Sequence, residues 1–156
     1  VAALLSDRLQ ARIAWTKTVP DEVDLISEAL KDLCDRRVDL VITVGGTGIS
    51  ARDVTPEATR QVIDRELPGL AEAMRAASAK QTMNALLSRA RAGVRGETLI
   101  VNVPGSKKGA LENLGAILPA LPHAVKMLRG EVAHSESDEG RLNKFNGATS
   151  SKFQIP

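Results

Sequence analysis

Two hydrophobic periods run through this chain, and the switches between them mark its elements. Val38 to Val44 (VDLVITV) and Leu99 to Val103 (LIVNV) are short, almost wholly apolar and rich in β-branched residues. That is the pattern of strands covered on both faces. Ile13 to Val19 (IAWTKTV) alternates loosely and stops at Pro20, which predicts a further strand. Val23, Ile26, Leu30, Leu33 and Cys34 recur at spacings of three or four and predict a helix with one face on a core. Val1 to Leu9 reads as another helix.

The second half repeats the alternation. Thr55-Pro56-Glu57 opens a helix, with Thr55 expected as N-cap and Pro56 at the first helical position. This helix is expected to reach about Leu67 and break at Pro68-Gly69, before another from Leu70 to Ala79. Lys80 to Arg91 is ambiguous and reads best as a short helix leading into a strand. Arg95-Gly96-Glu97 is a turn, Ala110 to Leu118 a helix, and Pro119 and Pro122 punctuate a last helix that ends near Arg129. Alternating strands and helices with short loops predict an α/β fold: a three-layer α/β/α sandwich on a mostly parallel sheet with right-handed crossovers.

Composition narrows the function. The 156 residues suffice for one core, expected over residues 1–130, and residues 131–156 turn polar, as a tail or linker would. Twenty-one Lys and Arg against 19 Asp and Glu are interleaved, and the aromatic residues are Trp15, Phe145 and Phe153. A nucleic-acid groove needs a basic face or several stacking rings, so nucleic acid is not expected as a partner. Cys34 is alone, which fits a reducing cytoplasm and a buried thiol on a helix face. No apolar run approaches a membrane span. His123 and His134 lack zinc-site spacing, and no G-x-S-x-G elbow supports a hydrolase.

Three turns carry candidate chemistry: Val19-Pro20-Asp21-Glu22, Gly45 to Asp53, and Pro104 to Gly109 (PGSKKG). Each follows an expected strand and precedes an expected helix, the edge of an open parallel sheet where ligands bind. Gly45-Gly46-Thr47-Gly48 lacks the ending of a P-loop and the spacing of a dinucleotide fingerprint. Its bare backbone N–H groups suit either a tight turn or a phosphate cradle. Pro104-Gly105-Ser106, with Lys107 and Lys108 following, offers a second anion cradle or an ordinary helix start. Asp21 and Asp53 head helices, so each either complements a helix dipole or joins the other on Mg²⁺. Ser88-Arg89 follows an apolar run, either to reach a ligand or simply to enter a strand.

Four ordered segments go further: GGTGISARDVTPEAT (45–59), ELPGLAEAMR (66–75), ALLSRARAGVRGETLIVNVPGSKKG (85–109) and ILPALPHAVKMLRG (117–130). Together they resemble the molybdopterin-binding domain family, and within it the molybdopterin adenylyltransferases of molybdenum-cofactor biosynthesis and the N-terminal domain of gephyrin. The resemblance implies a trimeric α/β enzyme that joins molybdopterin to the adenylyl group of ATP with Mg²⁺ and releases pyrophosphate. It implies catalytic and metal-holding roles for Asp21 and Asp53, and substrate contacts from Gly45, Gly46, Thr47, Gly48, Pro104, Gly105, Ser106 and Ser88. A molybdenum insertase is implied as partner or fused domain. A strand ending in the family's Ser-Asp motif is expected upstream of Val1. The alternative is a molybdopterin-binding or gephyrin-like scaffold module without catalysis.

Overall fold

A computed structural model describes residues 1–131 of the chain. The expected tail at 131–156, with His134, Phe145 and Phe153, falls outside the described residues except for Glu131. The chain runs α1 (Ala2–Leu9), α2 (Val23–Asp35), β1 (Leu40–Val44), α3 (Thr55–Val62), β2 (Arg65–Glu66), α4 (Pro68–Ala79), a 3₁₀ helix (Met83–Leu87), β3 (Ala92–Arg95), β4 (Thr98–Val103), α5 (Lys107–Ile117), a short 3₁₀ turn and α6 (Leu121–Leu128).

The four described strands form one sheet in the order β1-β4-β3-β2. β4 lies parallel to β1, in register from Leu40 opposite Leu99 to Val44 opposite Val103. β3 pairs antiparallel with both β4 and β2. The reason is local: only Gly96 and Glu97 separate β3 from β4, and so short a link can only fold a strand back on its neighbour.

Alternation along β4 splits the core in two. Leu99, Val101 and Val103 face a cluster with Leu5, Met74, Leu114 and Leu121, whereas Ile100 faces Ile26, Leu30, Val41, Ala58 and Val62. Thus α1, α4, α5 and α6 cover one face and α2 and α3 the other, the three-layer arrangement read from the sequence. All six β4 residues are buried, as its almost wholly apolar run requires.

Two expectations fail. Residues 13–19 form no strand, because their N–H and C=O groups find no backbone partners among the described residues, and alternation without a neighbour makes no ladder. Ile13 and Trp15 stay exposed there, with the Arg36 guanidinium 5.4 Å from the Trp15 ring centre. The helix from Thr55 ends at Val62 rather than Leu67. The backbone leaves helical geometry at Ile63, and the Asp64 and Leu67 amides bond to Val94 and Ala92 of β3, which draws the chain into β2. Pro68 then opens α4 instead of breaking a helix, since its missing N–H costs nothing in a first turn.

Candidate functional site

β1 and β4 run side by side and end at the same edge, so the turns that follow them are neighbours. Gly45 leaves β1 with φ of 104°, Gly46 follows at 64°, and the Gly45 amide donates to the Val103 carbonyl at 3.0 Å. A Cβ on Gly105 would stand 3.3 Å from the Gly45 Cα, so the two turns touch through bare backbone.

Each remaining glycine of the first turn has its own reason. A Cβ on Gly46 would sit 2.3 Å from the Thr55 Oγ1, and one on Gly48 would sit 2.9 Å from the Asp53 Oδ2. Gly48 therefore lets the Asp53 carboxylate lie against the turn. Asp53 Oδ2 accepts the Ser50 amide at 2.9 Å, and the Thr55 amide donates to the Gly46 carbonyl at 3.2 Å, which closes the loop onto α3. Thr47 is buried, and its carbonyl accepts the Arg89 amide at 2.8 Å. The N-cap of α3 is Val54 rather than the expected Thr55, and Thr55 occupies the first helical position.

The second turn is simpler. Ser106 caps α5, its hydroxyl accepting the Gly109 amide at 3.1 Å. The hydroxyl hydrogen is left over for a further acceptor. Pro104 is half-buried, and Gly105 and Ser106 are exposed.

Asp21 precedes α2 and reaches the same region through Arg52, whose Nη2 lies 3.4 Å from Asp21 Oδ2. Lys17 to Pro20, just before it, and Leu25 and Glu28 of α2 wall a concavity of about 320 Å³. Ser88 is engaged locally: its hydroxyl accepts the Ala90 amide at 3.3 Å, and its carbonyl accepts from Arg75 Nη1 at 3.4 Å.

Sequence reasoning named Arg89 beside Ser88 without its role and passed over Asn102. Arg89 donates from Nε to the Gly48 carbonyl at 2.7 Å, hydrogen-bonds the Asp53 carbonyl through Nη2, and pairs with Glu57 through Nη1. It follows Ser88 in the sequence, but nothing in the spacing reveals that its head spans the glycine turn. Asn102 is fully buried beneath the turns, with Nδ2 donating to both Thr43 and Thr59 Oγ1 at 2.9 Å and Oδ1 accepting the Arg91 amide at 3.1 Å. A lone polar residue inside LIVNV was the available signal, since a buried amide demands partners.

Among the described residues no group of three His, Cys, Asp or Glu side chains comes together as a metal site, and no helix is long and apolar enough to cross a membrane. Cys34 is half-buried rather than fully enclosed, and burial raises its thiol above the ordinary range, against the Thr98 hydroxyl and the Arg95 charge, which lower it.

Fold and edge together define an α/β domain that gathers two glycine turns and an aspartate at the ends of paired parallel strands. Residues 1–123 match the family model described as "probable molybdopterin binding domain", and the chain belongs to that family. It is 48% identical over 128 residues to the molybdopterin adenylyltransferase of Helicobacter pylori strain J99, covering 81% of this chain and 72% of that protein. Gephyrin of Dictyostelium discoideum is 41% identical over 129 residues, which span 83% of this chain and 18% of gephyrin. The fold superposes on the crystal structure of the molybdopterin biosynthesis enzyme MoaB from Thermus thermophilus with a TM-score of 0.75, at 49% identity over 83% of this chain and 84% of that one.

Proposed function

We propose that the protein is a molybdopterin adenylyltransferase, working at the edge where the turns after β1 and β4 meet. The contact between Gly45 and Gly105 carries this reading: two bare backbone turns share one surface, with the Asp53 carboxylate against the first. The relatives named molybdopterin adenylyltransferase support it.

In the reaction an oxygen of the molybdopterin phosphate forms a bond to the α-phosphorus of ATP, the bond to the β-phosphate oxygen breaks, and pyrophosphate leaves. The attacking phosphate is already anionic at neutral pH and needs no strong base. In-line positioning and neutralisation of charge are what the protein must supply. Amides of Gly46, Thr47 and Gly48 and of Gly105 and Ser106 receive phosphate oxygens and the pterin, Gly45 and Pro104 shape the two turns, and the Ser106 hydroxyl donates its free hydrogen. Ser88, with its hydroxyl turned to Ala90, flanks the pterin side.

Asp21 and Asp53 fit Mg²⁺ by their chemistry, because both are hard carboxylate donors and Mg²⁺ completes its shell with phosphates and waters. When bound, Mg²⁺ supplies charge neutralisation on the ATP phosphates. The two carboxylates would hold it, with the Ser50 amide keeping Asp53 oriented.

A cytoplasmic homotrimer belongs to the same reading. Met83, Leu86 and Leu87 on the 3₁₀ helix are more than half exposed, an apolar cost that an intersubunit face would remove. Incubation with molybdopterin, ATP and Mg²⁺ tests the function: pyrophosphate and adenylylated pterin are expected in equal amounts. Tight pterin binding without either product would refute it.

A further inference from the structure

Arg89 is bonded to the glycine turn and the helix behind it through its amide and all three guanidinium nitrogens. The amide donates to the Thr47 carbonyl at 2.8 Å and Nε to the Gly48 carbonyl at 2.7 Å, while Nη2 reaches the Asp53 carbonyl and Nη1 the Glu57 carboxylate. One guanidinium thus joins Gly48, the end of the turn at Asp53 and the first turn of α3, while the amide holds Thr47. A planar fork with fixed donors suits this task, and an ammonium could not reproduce it.

The arginine is itself anchored. Arg75 of α4 donates to the carbonyls of Ser88 and Ala90, at 3.4 and 3.1 Å, on either side of Arg89. Arg75 lies one residue from Met74, which is buried in the larger core cluster. The turn is therefore tied to the opposite layer of the sandwich through two arginines in series. The middle of the turn, Ile49, Ser50, Ala51 and Arg52, faces solvent, and its long-range side-chain tie among the described residues is the single exposed pair of Arg52 with Asp21 at 3.4 Å.

We propose that Arg89 is the positioning residue of this site, holding Gly46 to Asp53 in the shape that receives ligand. The proposal rests on the adenylyl-transfer reading for its ligands, but not for the contacts that define it. Its consequence is a penalty on binding rather than on chemistry. Without the fork the turn samples other shapes, and apparent affinity falls by the fraction of molecules in the competent one; once ligand orders the turn, catalysis proceeds.

The test uses the whole chain with Arg89→Lys, which keeps the charge, and Arg89→Gln, which keeps neither charge nor fork. Hydrogen–deuterium exchange without ligand, Mg-ATP affinity by calorimetry and kcat are read in parallel. Exchange across residues 45–53 is expected to rise about tenfold in both variants while β4 and α5 keep wild-type protection. The Kd for Mg-ATP is expected to weaken about tenfold, with kcat at saturation within about threefold. Glu57→Gln, which leaves the three carbonyl bonds in place, is expected to leave exchange of the turn near wild type.

Unchanged exchange across 45–53 would overturn the proposal, as would faster exchange with unchanged Mg-ATP affinity. Global unfolding of both variants would overturn it too, because Arg89 would then hold the fold rather than the turn. If the wild type binds Mg-ATP and the variants show the predicted exchange changes but the wild type forms no adenylylated pterin, the functional reading fails and the positioning role stands.

Discussion

Gly45 and Gly105 meet backbone to backbone, with the place of a Cβ on Gly105 only 3.3 Å from the Gly45 Cα. Neither turn alone makes a site. The parallel register of β1 and β4, which ends with Val44 opposite Val103, brings them together.

Substitutions in these turns should therefore differ in cost. Gly46 combines φ of 64° with a Cβ position 2.3 Å from Thr55 Oγ1. Gly46→Ala is expected to cost about 1–3 kcal/mol, from left-handed strain and the displaced threonine. Gly105→Ala needs a shift of only a few tenths of an ångström and meets no such strain, so it should cost under about 1 kcal/mol. Urea denaturation of both variants checks the order.

Asn102→Leu removes the donors to Thr43 and Thr59 and the acceptor for the Arg91 amide. The Thr59 hydroxyl is fully buried, whereas Thr43 and Arg91 are partly exposed; a buried group left unpaired costs roughly 1–3 kcal/mol, so a loss of about 2–3 kcal/mol is expected in equilibrium unfolding. The Thr43→Val and Thr59→Val changes, made in that background, should recover part of it, since an apolar pair leaves nothing unsatisfied.

Ser106→Ala deletes the cap of α5 and should lower stability by about 1 kcal/mol, whereas Ser106→Gly should lower it by only a few tenths. If Ser106 also serves substrate phosphate, both variants weaken ATP binding to a similar degree. Thermal melts beside calorimetric titrations separate the two effects.

The Cys34 thiol is pushed up first by burial, and the Thr98 hydroxyl and Arg95 charge pull it down. A raised folded pKa favours the protonated folded state. Its contribution is therefore fully present below the unfolded thiol pKa of about 8.5 and fades as pH rises through the higher folded value. Alkylation of Cys34 at pH 8 should be slower than that of a free thiol, and slower again in Arg95→Ala. Rates equal to a free thiol would contradict the assignment.

Much of this architecture was legible in the sequence because β1 and β4 announce themselves by short, almost wholly apolar runs and the helices by their stripes. Residues 13–19 misled because alternation shows a willingness to pair, not the presence of a partner. The end of α3 misled because the pairing of Asp64 and Leu67 with β3 is non-local and overrides helical tendency. The candidate turns were visible as glycine clusters, and Asp53 as an acid beside one. The partners of Arg89 and Asn102 were not, since these are carbonyls and hydroxyls up to 59 residues away in the chain, such as Thr43 from Asn102. Resemblance supplied the substrates; no spacing could have named a pterin.

The most direct test of adenylyl transfer at this edge compares wild type with Asp53→Asn, which can still accept the Ser50 amide while losing its charge. Pyrophosphate release and molybdopterin affinity are measured side by side at saturating ATP and Mg²⁺. The account predicts turnover reduced at least about 100-fold with pterin affinity within about threefold of wild type. Full turnover in Asp53→Asn would contradict it.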